Sequence, residues 1–410
     1  MSELGPRLVS ALGLLAIVGV AWSFSTQRRR PPWRVIAWGG ALQLALGVLL
    51  LRTEVGRAFF VAVNEVVTGL VRFTDAGTKF VFGALTESGF SFALEVLPII
   101  VFMGSLFGIL YHLGIVQRVV RVLARGMAST LGSSGAESLA AVANVFVGMT
   151  EAPLLVRPYL ERMTRSELFC VMTTGMSTIA GSVLVAYAKV LGEAEWAGHL
   201  VTASLLSAPA GVLIAKVMIP ETGTPLTGTG AGSELPSRAV NVIDAASEGA
   251  LAALRLAAYI GALLVAFVAL VAMANAGVST VGGWFGIEGL SLERIFGWGF
   301  APLALAMGIA PADALEVGSL LGLKTVLNEF LAFQALAELI AAGAISERSA
   351  VIASYGLCGF ANFGSLAILI GGMGGMAPSR RGDIAALGLR SILSGTLASA
   401  MTGCMAGMLL

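Results

Sequence analysis

The chain has 410 residues, of which 57% are hydrophobic and only 12% charged, and its mean hydropathy is +0.89. A soluble globular chain carries about 25% charged residues, so half of the expected charge is missing and a water-soluble enzyme or binding module is excluded. A net charge of +1 gives no electrostatic basis for binding nucleic acid.

The apolar residues are gathered into runs free of Asp, Glu, Lys and Arg, at 8–27, 35–51, 168–188, 256–287 and 391–410. A helix of about 20 apolar residues crosses the hydrocarbon core. The first run ends on Arg28, Arg29 and Arg30, a stop-transfer arrangement, so it is read as a retained span rather than a cleaved signal. With Arg34 these arginines lie in the connection to the second span. By the positive-inside rule that connection is cytoplasmic and the N-terminus lies outside.

Residues 54–79 mix apolar positions with Arg57, Glu65, Arg72 and Asp75 at helical spacing, which predicts a helix lying in the membrane interface. A third span is expected at 96–117, ending on Arg118, Arg121 and Arg125. Residues 138–150 are apolar but broken by Asn144, and then by Glu151 and Pro153. Neither side is long enough to cross alone. Two short arms around a polar tip describe a re-entrant hairpin, tolerated where the tip lines a cavity. The span at 168–188 carries Ser177, Thr178, Gly181 and Ser182 in its middle, residues that permit local unwinding. Another span covers 196–216 and leads to a Gly-, Thr- and Pro-rich loop at 220–236.

The second half opens with a span at 256–276, followed by a further interfacial or peripheral helix at 284–307. The hairpin pattern returns at 316–337 around Lys324, Asn328 and Glu329. A long run at 350–378 is interrupted by Gly359, Asn362, Gly364 and Ser365, and the last span is 391–410. One order of parts therefore occurs twice: hairpin with a central Glu, gapped span, plain span. The fold expected is an all-α polytopic membrane protein of about eight transmembrane helices, with two re-entrant hairpins, interfacial helices and an inverted repeat. Paired broken segments in corresponding halves point to a secondary transporter's substrate site at the bilayer midplane.

Glu151 and Glu329 stand out, because an ionisable group in the hydrocarbon region costs at least about 2.5 kcal/mol. Each either lines a functional cavity or pairs with a nearby cation, Arg157 or Lys324. Asn144, Thr178 and carbonyls freed at helix breaks are hard oxygen donors suited to a hard cation; interhelical hydrogen bonding is the other reading of both side chains. Cys170, Cys358 and Cys404 lack metal-ligand spacing and read as small core residues, and His112 and His199 as packing or boundary residues. No H-E-x-x-H, aspartate-rich or G-x-S-x-G motif is present, and Gly371 to Gly375 follows a span, so an enzyme is not expected.

Several blocks resemble the concentrative nucleoside transporters. They are Gly77-Thr-Lys-Phe-Val-Phe-Gly83, Gly148-Met-Thr-Glu-Ala-Pro153, Ser177-Thr-Ile-Ala-Gly-Ser-Val183 and Ser207-Ala-Pro209 leading to Ile219-Pro-Glu-Thr222. Leu327-Asn-Glu-Phe330, Cys358-Gly-Phe-Ala-Asn362 and Met376-Ala-Pro-Ser-Arg-Arg381 continue the series in the family's order. The resemblance implies a sodium-driven nucleoside symporter of a bacterial inner membrane, with proton coupling as the alternative ion. It also implies a homotrimer with one pathway per protomer, moving in an elevator-like manner. By the same token residues 1–90 would hold the N-terminal spans and interfacial helix, and 91–125 with 245–290 the scaffold. Residues 126–220 and 291–410 would form the two repeats of a transport domain.

By motif match the nucleobase would meet Gly148, Met149, Thr150, Glu151 and Val183, and the ribose Glu329, Asn362 and Ser365 with Phe360 nearby. The cation would sit at Asn144, Val147, Thr178 and Ile179. One departure stands in this pattern: the family usually has Gln where this chain has Met149, and a thioether lacks the amide's donors. That departure makes a carrier of another nucleoside derivative the alternative to the usual substrate.

Overall fold

The computed structural model describes residues 4–87, 91–192, 195–228 and 239–410, and all regular structure among them is helical. Helices α1 (Leu4–Ser23) and α2 (Trp33–Arg52) are 20 residues each, about 30 Å at 1.5 Å per residue, and the basic loop joins them. Thr53 starts α3 (Glu54–Phe82) by accepting the Gly56 amide on its side chain. This is the long helix expected in the interface; it packs on α2. A short turn and α4 (Phe92–Glu95) lead to α5 (Leu97–His112).

The third span is shorter than expected. Gly114, at φ +72°, ends the turn after α5 and starts a separate helix, α6 (Ile115–Leu131). Val116, Val120, Ala124, Met127 and Leu131 are buried along one face of α6, while Arg118 and Arg125 are exposed on the other. That spacing is amphipathic, and α6 is a separate helix that carries the arginines expected to close the span.

The first repeat follows. Helix α7 (Gly135–Val147) runs to a tip, and the short α8 (Ala152–Leu155) and α9 (Arg157–Leu160) return from it. Next come α10 (Arg165–Ser177), an extended break at Thr178 to Ala180, α11 (Gly181–Val190) and α12 (Glu195–Met218). Both α7 and α10 open with a capping box, Ser134 with Glu137 and Thr164 with Glu167. The boxes are tied together: Ser134 Oγ donates to Glu167 at 2.6 Å, and Lys216 Nζ pairs with Glu137 at 2.7 Å and Glu221 at 3.4 Å. Of the loop expected at 220–236, residues 229–236 lie outside those described; Thr227 and Gly228 fold back to accept the Ala136 and Gly135 amides. The base of the first hairpin is therefore pinned.

Helix α13 (Val242–Trp284) is 43 residues long, far beyond the span expected at 256–276. It packs along α5, where a Cβ on Gly104 would lie 2.2 Å from the Ala253 Cβ and one on Gly108 would lie 2.4 Å from the Ala245 carbonyl oxygen. Small residues four apart let two backbones touch. Much of the outer surface of α13 is apolar and exposed, including Val265, Met273 and Trp284. The second repeat then unfolds as α14 (Leu292–Ala306), the hairpin α15 (Ala314–Val326) and α16 (Glu329–Ala341), and α17 (Glu347–Leu357). A break at 358–362 leads to α18 (Phe363–Met376), and α19 (Arg381–Leu409) closes the chain. Seven helices among the described residues are long and apolar enough to cross a membrane; the broken pair α17 and α18 makes the eighth expected span.

Candidate functional site

The two helix breaks cross at the centre of the molecule. A Cβ on Gly359 would lie 2.9 Å from the Met176 carbonyl oxygen, so only glycine permits this approach. Each hairpin tip bends toward the crossing. At the first, Gly148 takes φ +90°, and a side chain there would strike the Ala180 Cβ at 2.7 Å. Met149 is buried behind it, while Thr150 and Glu151 are exposed and Thr150 Oγ1 donates to Glu151 Oε2 at 2.7 Å. Glu151 thus meets a hydroxyl of its own tip, and Arg157 is exposed.

At the second tip Asn328 caps α16 by accepting the Leu331 amide, which makes Glu329 the first helical residue. A carboxylate in that first turn faces the positive end of the helix dipole. Glu329 is 5% exposed, and both its oxygens are engaged: Oε1 accepts from Tyr187 Oη at 2.8 Å and Oε2 from Asn362 Nδ2 at 2.9 Å. Asn362 can point its amide group this way because its Oδ1 caps α18, accepting the Ser365 amide at 2.7 Å. Tyr187 is itself wedged between Phe330 and Phe333, with ring centroids 4.6 and 4.7 Å away. One network therefore joins the second tip, the far half of the first gapped span, and the break of the second.

All nine candidate substrate residues line one cavity of about 110 Å³: Gly148, Met149, Thr150, Glu151, Val183, Glu329, Phe360, Asn362 and Ser365. The volume is small for a small-molecule site, as expected where two tips close over a space. Its wall also includes Asn328 and Ser182, which the sequence marks at helix breaks without a ligand role, and Tyr259 of α13, which it does not single out. Tyr187 was missed as well, although a lone tyrosine inside an apolar helix needs a hydrogen-bond partner, and that was a usable signal. The lining combines carboxylates, an amide and hydroxyls with the apolar Val183 and Phe360. Such a surface suits a neutral solute bearing hydroxyls and a flat ring, and repels an anion.

Of the four candidate cation residues, Asn144, Thr178 and Ile179 are fully buried and Val147 ends α7 at the cavity edge. Asn144 Nδ2 donates to the Ala140 carbonyl at 2.9 Å and to Thr174 Oγ1 at 3.3 Å, and Thr178 Oγ1 donates to the Thr174 carbonyl at 2.9 Å. Asn144 Oδ1 is left with no hydrogen-bond partner among the described residues. A buried unpaired acceptor is costly, and here it faces the C-terminal ends of α7 and α10, whose free carbonyls carry partial negative charge. That donor set fits a hard monovalent cation.

Lys324, five residues before Glu329, is 1% exposed, and its ammonium donates to the Gly356 carbonyl oxygen at 2.9 Å. The carboxylate of Glu329 is thus held by Tyr187 and Asn362, while the lysine is spent on the backbone of α17.

Residues 12–85 and 199–407 match the models described as Na+ dependent nucleoside transporter N-terminus and C-terminus, and residues 93–194 match a gate model described as nucleoside recognition. An uncharacterized transporter of Bacillus subtilis (strain 168), YutK, is 44% identical over 400 residues, covering 97% of this chain and 98% of that protein. Solute carrier family 28 member 3 of Homo sapiens is 42% identical over 417 residues, 98% of this chain but 60% of the longer human protein. The structure of CNTnw in an inward-facing substrate-bound state matches with a TM-score of 0.92 at 40% identity, over 98% of each chain. An outward-facing structure of a CNTnw variant also gives 0.92, over 97% of that chain.

Proposed function

The chain belongs to the Na+ dependent nucleoside transporter family, and from that membership we propose that it imports nucleosides across a bacterial inner membrane, driven by sodium. It is a multi-pass membrane transporter and not an enzyme. The observation that carries the substrate reading is Glu329, held between Tyr187 and Asn362 at the edge of a cavity whose other side is Thr150 and Glu151. Glu329, Asn362 and Ser365 hold the ribose hydroxyls, with Phe360 against the sugar. Gly148, Met149, Thr150, Glu151 and Val183 meet the base.

The unpartnered Asn144 Oδ1 supports sodium as the driving ion. Sodium at Asn144, Val147, Thr178 and Ile179 ties the first hairpin to the break of the first gapped span. It thereby sets the tip residues in place before the nucleoside arrives, which is positive coupling between two ligands.

The close packing of α5 on α13, and the apolar outer surface of α13, support residues 91–125 and 245–290 as the scaffold of a homotrimer. Residues 126–220 and 291–410 form the transport domain that moves past it like an elevator, and α1 to α3 are the N-terminal spans and interfacial helix, packed on α12 and α19. The loop with Arg28, Arg29 and Arg30 is cytoplasmic and the N-terminus lies outside.

Calorimetry on the purified protein in detergent tests this reading. Uridine binding is expected to strengthen when choline is replaced by sodium. Binding indifferent to sodium would transfer the driving role to a proton gradient, and an absence of binding by any nucleoside would overturn the substrate assignment. Met149→Gln is expected to tighten uridine binding about fivefold, the value of one net hydrogen bond of about 1 kcal/mol, with melting temperature unchanged. Equal affinity in the two proteins would remove position 149 from the base contacts.

A further inference from the structure

The two repeats place their first hairpin helices against corresponding helix ends, and they treat the junction differently. In the first, α7 and α10 both terminate at the centre, each 13 residues long. In the second, α15 (13 residues) and α17 (11 residues) do the same. From the last turn of α7, Asn144 reaches the last turn of α10 at Thr174. From the last turn of α15, Lys324 reaches the last turn of α17 at Gly356. A helix C-terminus carries about −0.5 elementary charge, so two ends meeting out of water present about −1. One monovalent cation balances that.

The first junction holds a neutral side chain with an unused oxygen, Asn144 Oδ1. The second holds a side chain that is itself a cation, 1% exposed. It is also closed: a Cβ on Gly356 would lie 2.5 Å from Met307 Cε and 3.5 Å from a Leu321 methyl. The charged and titratable groups facing Lys324 are Glu329 and Cys358.

We propose that Lys324 is a tethered cation that fills, in the second repeat, the junction which the first repeat leaves open for the transported ion. The protein therefore takes one cation per nucleoside where its duplicated architecture offers two places. Lys324 is a positioning residue: it neutralises the end of α17 and holds the break on which Asn362 and its contact with Glu329 depend. This rests on the sodium-coupled reading above, but its test does not need the nucleoside.

The test is sodium-dependent thermal stability of the native protein and of Lys324→Gln in detergent, with choline making up the ionic strength. Above the dissociation constant, stabilisation grows with the logarithm of ligand concentration, with a slope set by the number of ions bound by the folded state. The native protein is expected to follow a one-ion slope. Lys324→Gln is expected to melt lower in choline and to recover in sodium with a slope approaching two ions. A merely structural lysine would lower the melting temperature and leave the slope at one, and that result overturns the proposal. Should the variant not fold, parallel uptake of radioactive sodium and uridine into proteoliposomes of the native protein decides. One ion per nucleoside supports the tethered cation, and two overturn it. Loss of uridine binding with a one-ion native slope would instead count against the nucleoside assignment alone.

Discussion

Glu329→Gln is expected to weaken uridine binding by about 100-fold or more. The carboxylate accepts from both Tyr187 and Asn362 and keeps further lone pairs for substrate hydroxyls. An amide has one acceptor oxygen, so its NH2 would confront either the tyrosine hydroxyl or the asparagine amide, a donor against a donor. Hydrogen bonds to a charged group contribute about 1.5–3 kcal/mol each, and losing two amounts to at least about 3 kcal/mol, or more than 100-fold. Calorimetry in sodium measures the loss, and the melting temperature controls for folding. A change within threefold in a folded protein would remove Glu329 from the ribose site.

Asn144→Leu is expected to abolish the advantage of sodium over choline while leaving residual nucleoside binding. The substitution nearly preserves shape but deletes the unpartnered Oδ1, together with the donations to Ala140 and Thr174 that aim it. Coupling between two ligands is typically 1–3 kcal/mol, or about 5–150-fold. The ratio of affinities in the two salts should collapse from that range to about one. A ratio that stays high would place the cation elsewhere and return Asn144 to the role of an interhelical hydrogen bonder. The two variants fail in different ways: Glu329→Gln loses binding in both salts, Asn144→Leu only what sodium adds.

Much of this architecture was legible because polar residues are conspicuous in an apolar chain. Asn144, Glu151, Glu329 and Asn362 each interrupt a run that lipid would otherwise favour, and each lies at or beside a helix end in the structure. The extra helix α6 was hidden because Val116 and Val120 continue the apolar run of α5, and only the left-handed Gly114 separates the two. What sequence could not supply were partners brought together by the fold. Tyr187 lies 142 positions before Glu329, and Ser134 lies 33 before Glu167, so no local pattern joins them. Sequence proximity pairs Lys324 with Glu329, yet its ammonium turns to a carbonyl 32 residues away. The extent of α13 was likewise concealed, because Asp244, Glu248 and Arg255 in its first turns resemble a loop or interface rather than the start of a continuous helix.

That helix has a consequence for the lipid around it. After Arg255 its uncharged portion, residues 256–284, extends for about 43 Å at 1.5 Å per residue, against a hydrocarbon thickness of about 30 Å. Standing upright it would push apolar side chains into water at one or both faces. Leaning by about 40°, the upper end for spanning helices, shortens its projection to about 33 Å. Because Gly104 and Gly108 hold α5 flush against it, the two must lean together. On the elevator reading proposed above, a transport domain sliding past this pair would follow an inclined track whose slope is set by hydrophobic mismatch. The length of the surrounding acyl chains would then enter that cycle as a variable, alongside ion and solute.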